Sequence, residues 1–465
     1  MTSRVVRVAS ATSIALVLFV AGALGPLRSR PADPASVLRS RPADPASVLR
    51  SRPADPASGS QPGGGSLLAP AAAAGDLDDT IGALQEGLRS EPDDAPGLST
   101  LGLAYIQKAR MSMDPSFYPK ARAVLRRSIQ IQPEGNFDAI VGLGALDLAR
   151  HDFQGALEWG RRAKEFNSHN AQVRGILGDA YLELGFYRAA DREFQTMIDL
   201  RPDLSSYARV SYARELRGDT SGAVQAMKLA RSAAGDASDQ AWASHQLGEL
   251  LFNSGDYGRA RAFYREGARL DPVSALPEVG LAKVEAATDD VERAIRILRR
   301  VTRREPFGEY LVLLGDMLDA AGRPAEARAQ YELANAITNL YRSNGVNVDL
   351  EQALFDADHD RPKQALRVAR AEYERRQSVH VADALAWALY ANGDYEAADK
   401  YSREALRLGT RSALFRWHAG MIAAELEERD EAIEHLNAAL EINPHFSFRH
   451  APVARRVLED LKASR

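Results

Sequence analysis

Cysteine is absent from all 465 residues. That excludes disulfide staples, thiol nucleophiles, cysteine-ligated zinc and a lipidated N-terminal cysteine. Histidine is sparse, nine residues scattered with no H-E-x-x-H and no pair at helical metal spacing beside a carboxylate. His445 and His450 flank Phe446–Arg449 and His359 stands between Asp358 and Asp360; all three read as loop or turn positions. There is no G-x-S-x-G and no phosphate-cradling glycine loop, since Gly63–Gly65 follows no strand. No catalytic residue, metal or cofactor is therefore expected. A strong excess of basic residues is missing too. The net charge is −4, and residues 1–75 hold eight Arg and three Asp, which leaves 51 basic and 60 acidic residues beyond them. An acidic body of that kind argues against a nucleic-acid groove, which needs a clustered basic surface.

What is present begins with an export pattern. Arg4 and Arg7 precede the apolar run Val8–Leu27, densest at Ile14–Val20. Basic residues ahead of such a run mark a secretory signal, and Ala21-Gly22-Ala23 offers a cleavage site. At about 20 residues the run is also just long enough to anchor in a bilayer. Residues 1–27 are thus either a signal peptide or a membrane anchor, and both alternatives place the remainder outside the cytoplasm, secreted or tethered. Residues 28–75 follow as a linker. The unit LRSRPADPASV recurs three times from Leu27, its third copy ending in Gly59, and Gln61–Ser66 reads QPGGGS. Two prolines per unit forbid a continuous helix, and the apolar content is too low for a core.

From residue 76 to 465 one pattern repeats. Gly175–Pro202 shows it best, as two amphipathic helices joined at Gly185. Leu177, Gly178 and Tyr181 share one face of the first helix, and Ala190, Phe194 and Met197 share one face of the second. A small residue at Gly178 lets its helix approach Ala190. The small residue of the second helix recurs at Ala121, Ala156, Ala190, Ala223, Ala260, Ala294, Ala327, Ala365, Ala398 and Ala432, at spacings of 33 to 38 residues. Gly102, Gly144, Gly178, Gly248, Gly315 and Gly420 mark the matching close contact in first helices. Gly185, Gly218, Gly255, Gly322 and Gly393 each stand five residues before their alanine, as turn signals. An initial helix over Leu77–Pro92 reads as half a repeat. At the other end Val453, Val457, Leu458 and Leu461 form the stripe of a capping helix. Extra residues interrupt the register at Met111–Pro119, near Ala233–Asp239 and near Asn339–Val348; the shorter two read as loop drift, the first as a partner-specific feature or drift.

The 34-residue helix–turn–helix resembles the tetratricopeptide repeat, and the export pattern makes the chain similar to exported bacterial members of unassigned molecular role. The resemblance implies an all-α, right-handed α-solenoid of about ten repeats, with a preceding half repeat and a C-terminal capping helix, winding beyond one turn. It also implies that extended or helical peptide segments bind a concave face made by the first helices. One subclass of the family clamps a peptide carboxylate with Lys and Asn at fixed first-helix positions. Here those positions hold Gly175 and Asp179, His245 and Glu249, Val312 and Asp316, and Asp383 and Trp387, so the clamp is absent and the pattern is acidic.

Projected onto the family's concave positions, the candidate groove comprises Asp179, Glu183, Tyr212, Glu215, His245, Glu249, Phe252, Asp316 and Asp319, continuing through His380, Asp383, Trp387, Tyr390 and Trp417. Aromatic anchors among carboxylates would suit a partner protein segment carrying Lys or Arg and an apolar residue or two. The alternative is that Trp387, Tyr390 and Trp417 pack between repeats and the acids form a solvated face. The expected function is a non-catalytic, extracytoplasmic interaction scaffold. The other reading is an enzyme, or an enzyme accessory, acting on cell-envelope polymers.

Overall fold

The computed structural model describes residues 74–463, all of its regular structure helical. The export or anchor segment and the linker up to residue 73 lie outside the described residues. Helix α1 (Ala74–Ser90) supplies the half repeat. Ten hairpins follow: α2 and α3 (Ala95–Ser112, Phe117–Ile131), α4 and α5 (Phe137–Ala149, Phe153–Phe166), α6 and α7 (Ala171–Glu183, Tyr187–Leu200), α8 and α9 (Leu204–Glu215, Thr220–Ser232), and α10 and α11 (Ala237–Asn253, Tyr257–Leu270). The second five are α12 and α13 (Leu276–Ala287, Val291–Arg304), α14 and α15 (Gly308–Ala320, Pro324–Ser343), α16 and α17 (Asp349–Asp358, Pro362–Arg375), α18 and α19 (Val379–Ala391, Tyr395–Ala405), and α20 and α21 (Ala413–Glu425, Arg429–Ile442). Helix α22 (Ala451–Ala463) packs on α21 and buries Val453 and Leu458, with Val457 and Leu461 packed beside them. The architecture is an all-α solenoid.

Each hairpin is fixed by the same few side chains. All ten register alanines are buried, none more than 1% exposed. Five of the six first-helix glycines admit something larger than an alanine, however, whereas Gly144 meets Ile176 of the next repeat instead, because Gly160 stands four past Ala156. A Cβ on Gly178 would stand 2.3 Å from the Phe194 ring, so the partner of this glycine is Phe194, four residues past Ala190. Leu125, Tyr264, Tyr331 and Leu436 fill the same place opposite Gly102, Gly248, Gly315 and Gly420. Tyr264 is held on both sides, because Cβ atoms on Gly248 and on Gly280 of the next repeat would each lie 2.3 Å from its ring. Gly248→Ala should therefore cost about 1–3 kcal/mol by overpacking. Faster hydrogen exchange confined to α10, α11 and α12 would show it; unchanged exchange there would refute the packing role.

The turns are more uniform than their glycines. In nine of ten repeats the residue five before the alanine is left-handed, and in four of these it is His151, Asp289, Asp360 or Glu427, with φ between 58° and 69°. In several turns an aspartate follows and caps the second helix, as Asp152, Asp219, Asp256 and Asp290 do by accepting from a backbone N–H three residues on. A left-handed conformation costs an ordinary residue about 1–2 kcal/mol, part of which glycine returns as backbone entropy. Glu427→Gly, at an exposed turn, should thus stabilise the last hairpin by up to about 1 kcal/mol. A lower melting temperature would contradict this.

First helices pack on the first helices of neighbouring repeats, whereas no pair of second helices packs comparably. That asymmetry places the first helices on the inner side of the curve. The curve then closes on itself. The Asn347 N–H donates to Arg150 O at 2.9 Å, and His151 Nδ1 lies 2.8 Å from Asn347 O. In the next repeat the Val379 N–H donates to the Tyr187 hydroxyl at 2.8 Å, and Arg376 Nη1 donates to Glu183 Oε2 at 2.6 Å. A Cβ on Gly218 would lie 2.4 Å from Gly409 O. The Tyr257 hydroxyl donates to Asn443 Oδ1 at 2.5 Å, and Asn443 Nδ2 donates to Phe252 O at 2.9 Å. Repeats two to five thus seat their turns on the loops that follow repeats seven to ten, at a constant offset of five repeats. The hydrophobic cores join as well: Val346 packs into the core of Leu146, and Val379 and Phe415 into that of Leu182 and Leu216.

This docking corrects the reading of two insertions. The excess near Asn339–Val348 is an extended α15 followed by the very residues that contact Arg150 and His151, not loop drift. At Met111–Pro119 the Tyr341 hydroxyl donates to Met113 O at 3.0 Å, Tyr118 is buried, and Phe117 packs on Tyr105. The third excess ends in Asp236, which caps α10.

Candidate inner-face binding site

The ten first helices carry 7 basic and 18 acidic residues, and the ten second helices 30 basic and 18 acidic. Charge is therefore sorted by layer. The inner layer is acidic and the outer one basic.

Within the inner layer the predicted residues fall into three groups. Four acids have cationic partners. Arg209 Nη2 lies 2.7 Å from Asp179 Oδ2, Arg376 grips Glu183, Lys283 Nζ lies 2.6 Å from Glu249 Oε2, and Arg449 approaches Asp319 at 3.6 Å. Burial works against a charge on Glu249, but Lys283, His245 and the Tyr264 hydroxyl together hold it down at about 2. Two acids form no direct ion pair, though Arg449 stands near enough to Asp316 to oppose its rise. Burial, reinforced by Glu249, pushes Glu215 up to about 7, and burial pushes Asp316 up to about 7 while the Tyr331 hydroxyl donates to it at 2.8 Å. Tyr212 and His380 stack across the docked turns with centroids 6.4 Å apart, both half-buried, and burial holds His380 at about 4. Buried His245 packs on Tyr264 and is likewise held at about 4.

The remaining aromatics are corrected by the structure. Trp417 is fully buried, Trp387 is 3% exposed and donates from Nε1 to Asp358 at 2.6 Å, and Tyr390 stacks on Trp387 at 4.5 Å. Asp383 is buried against His418 Nδ1 at 3.0 Å, and Phe252 is 2% exposed beneath Lys283. Packing between repeats uses these side chains, and only Tyr390 among them is half-buried rather than buried. His450 is also fully buried rather than in a surface loop, stacked on Trp417 at 5.2 Å. His359 is half-buried, 4.0 Å from the Phe355 ring.

Sequence reasoning missed Glu309, Lys283, Glu351 and Arg376. Burial, with Glu351 and Glu249 adding, pushes Glu309 up to about 8. Both Glu309 and Glu351 begin their first helices, where no hydrophobic stripe flags them; the one available signal was the row of acids itself. Among the described residues one acidic trio converges as metal ligands do, the exposed Asp399, Glu428 and Glu431. Arg403 already reaches all three, at 2.8, 3.8 and 3.4 Å.

Comparison with known proteins follows the same lines. A tetratricopeptide repeat family model matches residues 279–339 and 384–445, and a second model of the repeat matches 243–274. Cellulose synthase 1 operon protein C of Komagataeibacter xylinus is 26% identical over 283 residues, which are 58% of this chain and 19% of that protein. The chain therefore spans about a fifth of that relative's length. Among solved structures, a tetratricopeptide repeat protein from Parabacteroides merdae is 17% identical, over 55% of this chain and 97% of its own, with a TM-score of 0.41. Yeast Tom70 is 14% identical, over 83% and 86%, with a TM-score of 0.30. The family models fall on α10–α15 and α18–α21, whose paired helices share one register of buried alanines with the rest of the array, and the chain carries tetratricopeptide repeats.

Proposed function

We propose that the chain is a non-catalytic scaffold whose inner face holds basic, partly apolar segments of partner proteins, and that it works outside the cytoplasm. The sorting of acids into the inner layer carries this reading. Glu215, Glu309 and Asp316 form no direct ion pair there and are held toward their neutral forms, so a Lys or Arg side chain arriving beside them would favour the carboxylate and be held by it. The carboxylates are spread over repeats three to eight, as suits an extended segment better than a single reacting centre.

The setting is argued from the export pattern of residues 1–27 and from the relative encoded with a cellulose synthase operon. In such a setting the scaffold would stand beside an envelope polymer synthase as an accessory. No helix among the described residues is long and apolar enough to cross a membrane, which leaves any tether to the N-terminal segment.

Calorimetric titration of the full chain with an Arg/Leu peptide and its Glu/Leu counterpart tests the site. The basic peptide should bind at least about tenfold more tightly, weaken as salt rises, and lose about tenfold in affinity on Glu215→Gln/Glu309→Gln. Equal affinity for both peptides would end the acidic-groove reading. A reporter active only outside the cytoplasm, fused after residue 75, tests the location.

A further inference from the structure

The seat of repeat five on the loop after repeat ten is built from two short motifs, and each recurs once where it has no seat. The turn motif is Gly255-Asp256-Tyr257, with the Phe252 and Tyr257 rings 5.3 Å apart at 46°. Repeat nine carries Gly393-Asp394-Tyr395, with Tyr390 and Tyr395 5.6 Å apart at 52°. The two glycines have φ of 80° and 79°. The loop motif is Asn443-Pro444-His445, entered at φ −153° and ψ 106°, with the His445 N–H donating to Asn443 Oδ1 at 2.9 Å. After repeat two stands Asn167-Ser168-His169, entered at φ −146° and ψ 93°, with the His169 N–H donating to Asn167 Oδ1 at 3.0 Å.

The docked and undocked forms differ in what covers them. A Cβ on Gly255 would meet Ile442 O at 3.0 Å, whereas one on Gly393 meets nothing within 4 Å. Ile442, which precedes the docked loop, is 8% exposed; Phe166, which precedes the undocked one, is 49% exposed. The five-repeat offset explains why both stay open. The turn of repeat nine would seat on a loop beyond the last repeat, and the loop after repeat two would receive a turn from before the first. Neither is satisfied among the described residues.

We propose that these two open motifs seat on each other between copies of this chain, the turn of repeat nine in one molecule on the loop after repeat two in the next. Tyr395 takes the part of Tyr257 and Asn167 that of Asn443. The Tyr395 hydroxyl leaves its contact with Glu425 for Asn167 Oδ1, and Asn167 Nδ2 donates to Tyr390 O as Asn443 Nδ2 donates to Phe252 O. Phe166 is covered as Ile442 is. The contact joins different surfaces head to tail, so it propagates past a dimer, into a ring if the rotation closes and an open chain if it does not.

Sedimentation velocity of the wild-type chain over about a hundredfold range of concentration should show mass rising past the dimer. Asn167→Ala and Tyr395→Ala should each hold the chain monomeric over that range. Each variant keeps the surface the other has lost, so an equimolar mixture should recover association and stop at heterodimers. Mere destabilisation could not produce that complementation. A wild-type chain that stays monomeric, or stops at a dimer, overturns the proposal, as do variants that associate like wild type or a mixture that fails to complement.

Discussion

Arg376→Met should destabilise the protein by about 3–5 kcal/mol, the cost of leaving the buried Glu183 carboxylate without its cation and Glu372 with Arg375 alone. Arg376 is 4% exposed and lies between Glu372, 1% exposed, and Glu183, 8% exposed. It donates to both, and its guanidinium sits 4.7 Å from the centre of the Phe153 ring. Methionine replaces most of the volume and none of the charge, so the loss is electrostatic. Glu372 belongs to repeat eight and Glu183 to repeat three, so one substitution should loosen repeat eight and also a place 193 residues before Arg376. Because a repeat array opens in segments, the readout is hydrogen exchange in both α6–α7 and α17–α18. Adding Glu183→Gln should return part of the stability, a coupling expected only for groups in contact. Loosening of repeat eight alone would mean that the two turns of the solenoid are not joined through this residue.

That result bears on what the chain's linear order can reveal. The alanine register, the half repeat at the start and the cap at the end are periodic features, and period is a local property that one sequence displays. The positions of Gly102, Gly178, Gly248, Gly315 and Gly420 were legible for the same reason, although their true neighbours are the bulky residues four past each alanine. The left-handed turns at His151, Asp289, Asp360 and Glu427 were not legible, because nothing in those side chains announces a positive φ; only their place in the register does. The docking of one turn on another was hidden altogether. Val379 finds the Tyr187 hydroxyl, and Asn443 finds Phe252 and Tyr257, across separations near 190 residues, and no period connects them.

The inner face was legible in its charge and not in its aromatics. Acids recurring on successive first helices implied an acidic layer, and Asp179, Glu183, Glu215, Glu249 and Asp316 do lie in it. Which of them carry a cation depends on neighbours in other repeats, as Lys283 and Arg376 show. Trp387 and Trp417 project toward the same family positions, yet His418, His450 and Asp358 close over them. An indole at a first-helix position has the same sequence signature whether it faces solvent or the next repeat, so this distinction had to come from packing.

Acids without a direct ion pair and buried or half-buried histidines should give the protein an asymmetric stability profile with pH. Glu215, Glu309 and Asp316 are pushed up to about 7, 8 and 7, above their unfolded values near 4. A raised carboxylate binds its proton more tightly in the folded state, so each opposes folding above its folded value. That opposition is relieved as pH falls through it, at up to about 1.4 kcal/mol per pH unit per group. His245 and His380 are held at about 4 and His359 at about 3, below the unfolded value near 6.5. Their neutral forms favour folding fully above pH 6.5, and that contribution is lost as pH falls toward 4. Melting temperature should therefore rise from about pH 8.5 to 6.5, level off while the two sets oppose each other, and collapse below about 4.5, where the carboxylate gain is exhausted. Below that point Glu249, held at about 2, adds to the collapse as its bond to Lys283 is protonated away. Glu309→Gln should flatten the alkaline limb and leave the acid limb in place. A profile with its maximum at pH 8 or above would show that these acids are not held toward their neutral forms, and would remove the electrostatic reason for a basic segment to bind the inner face.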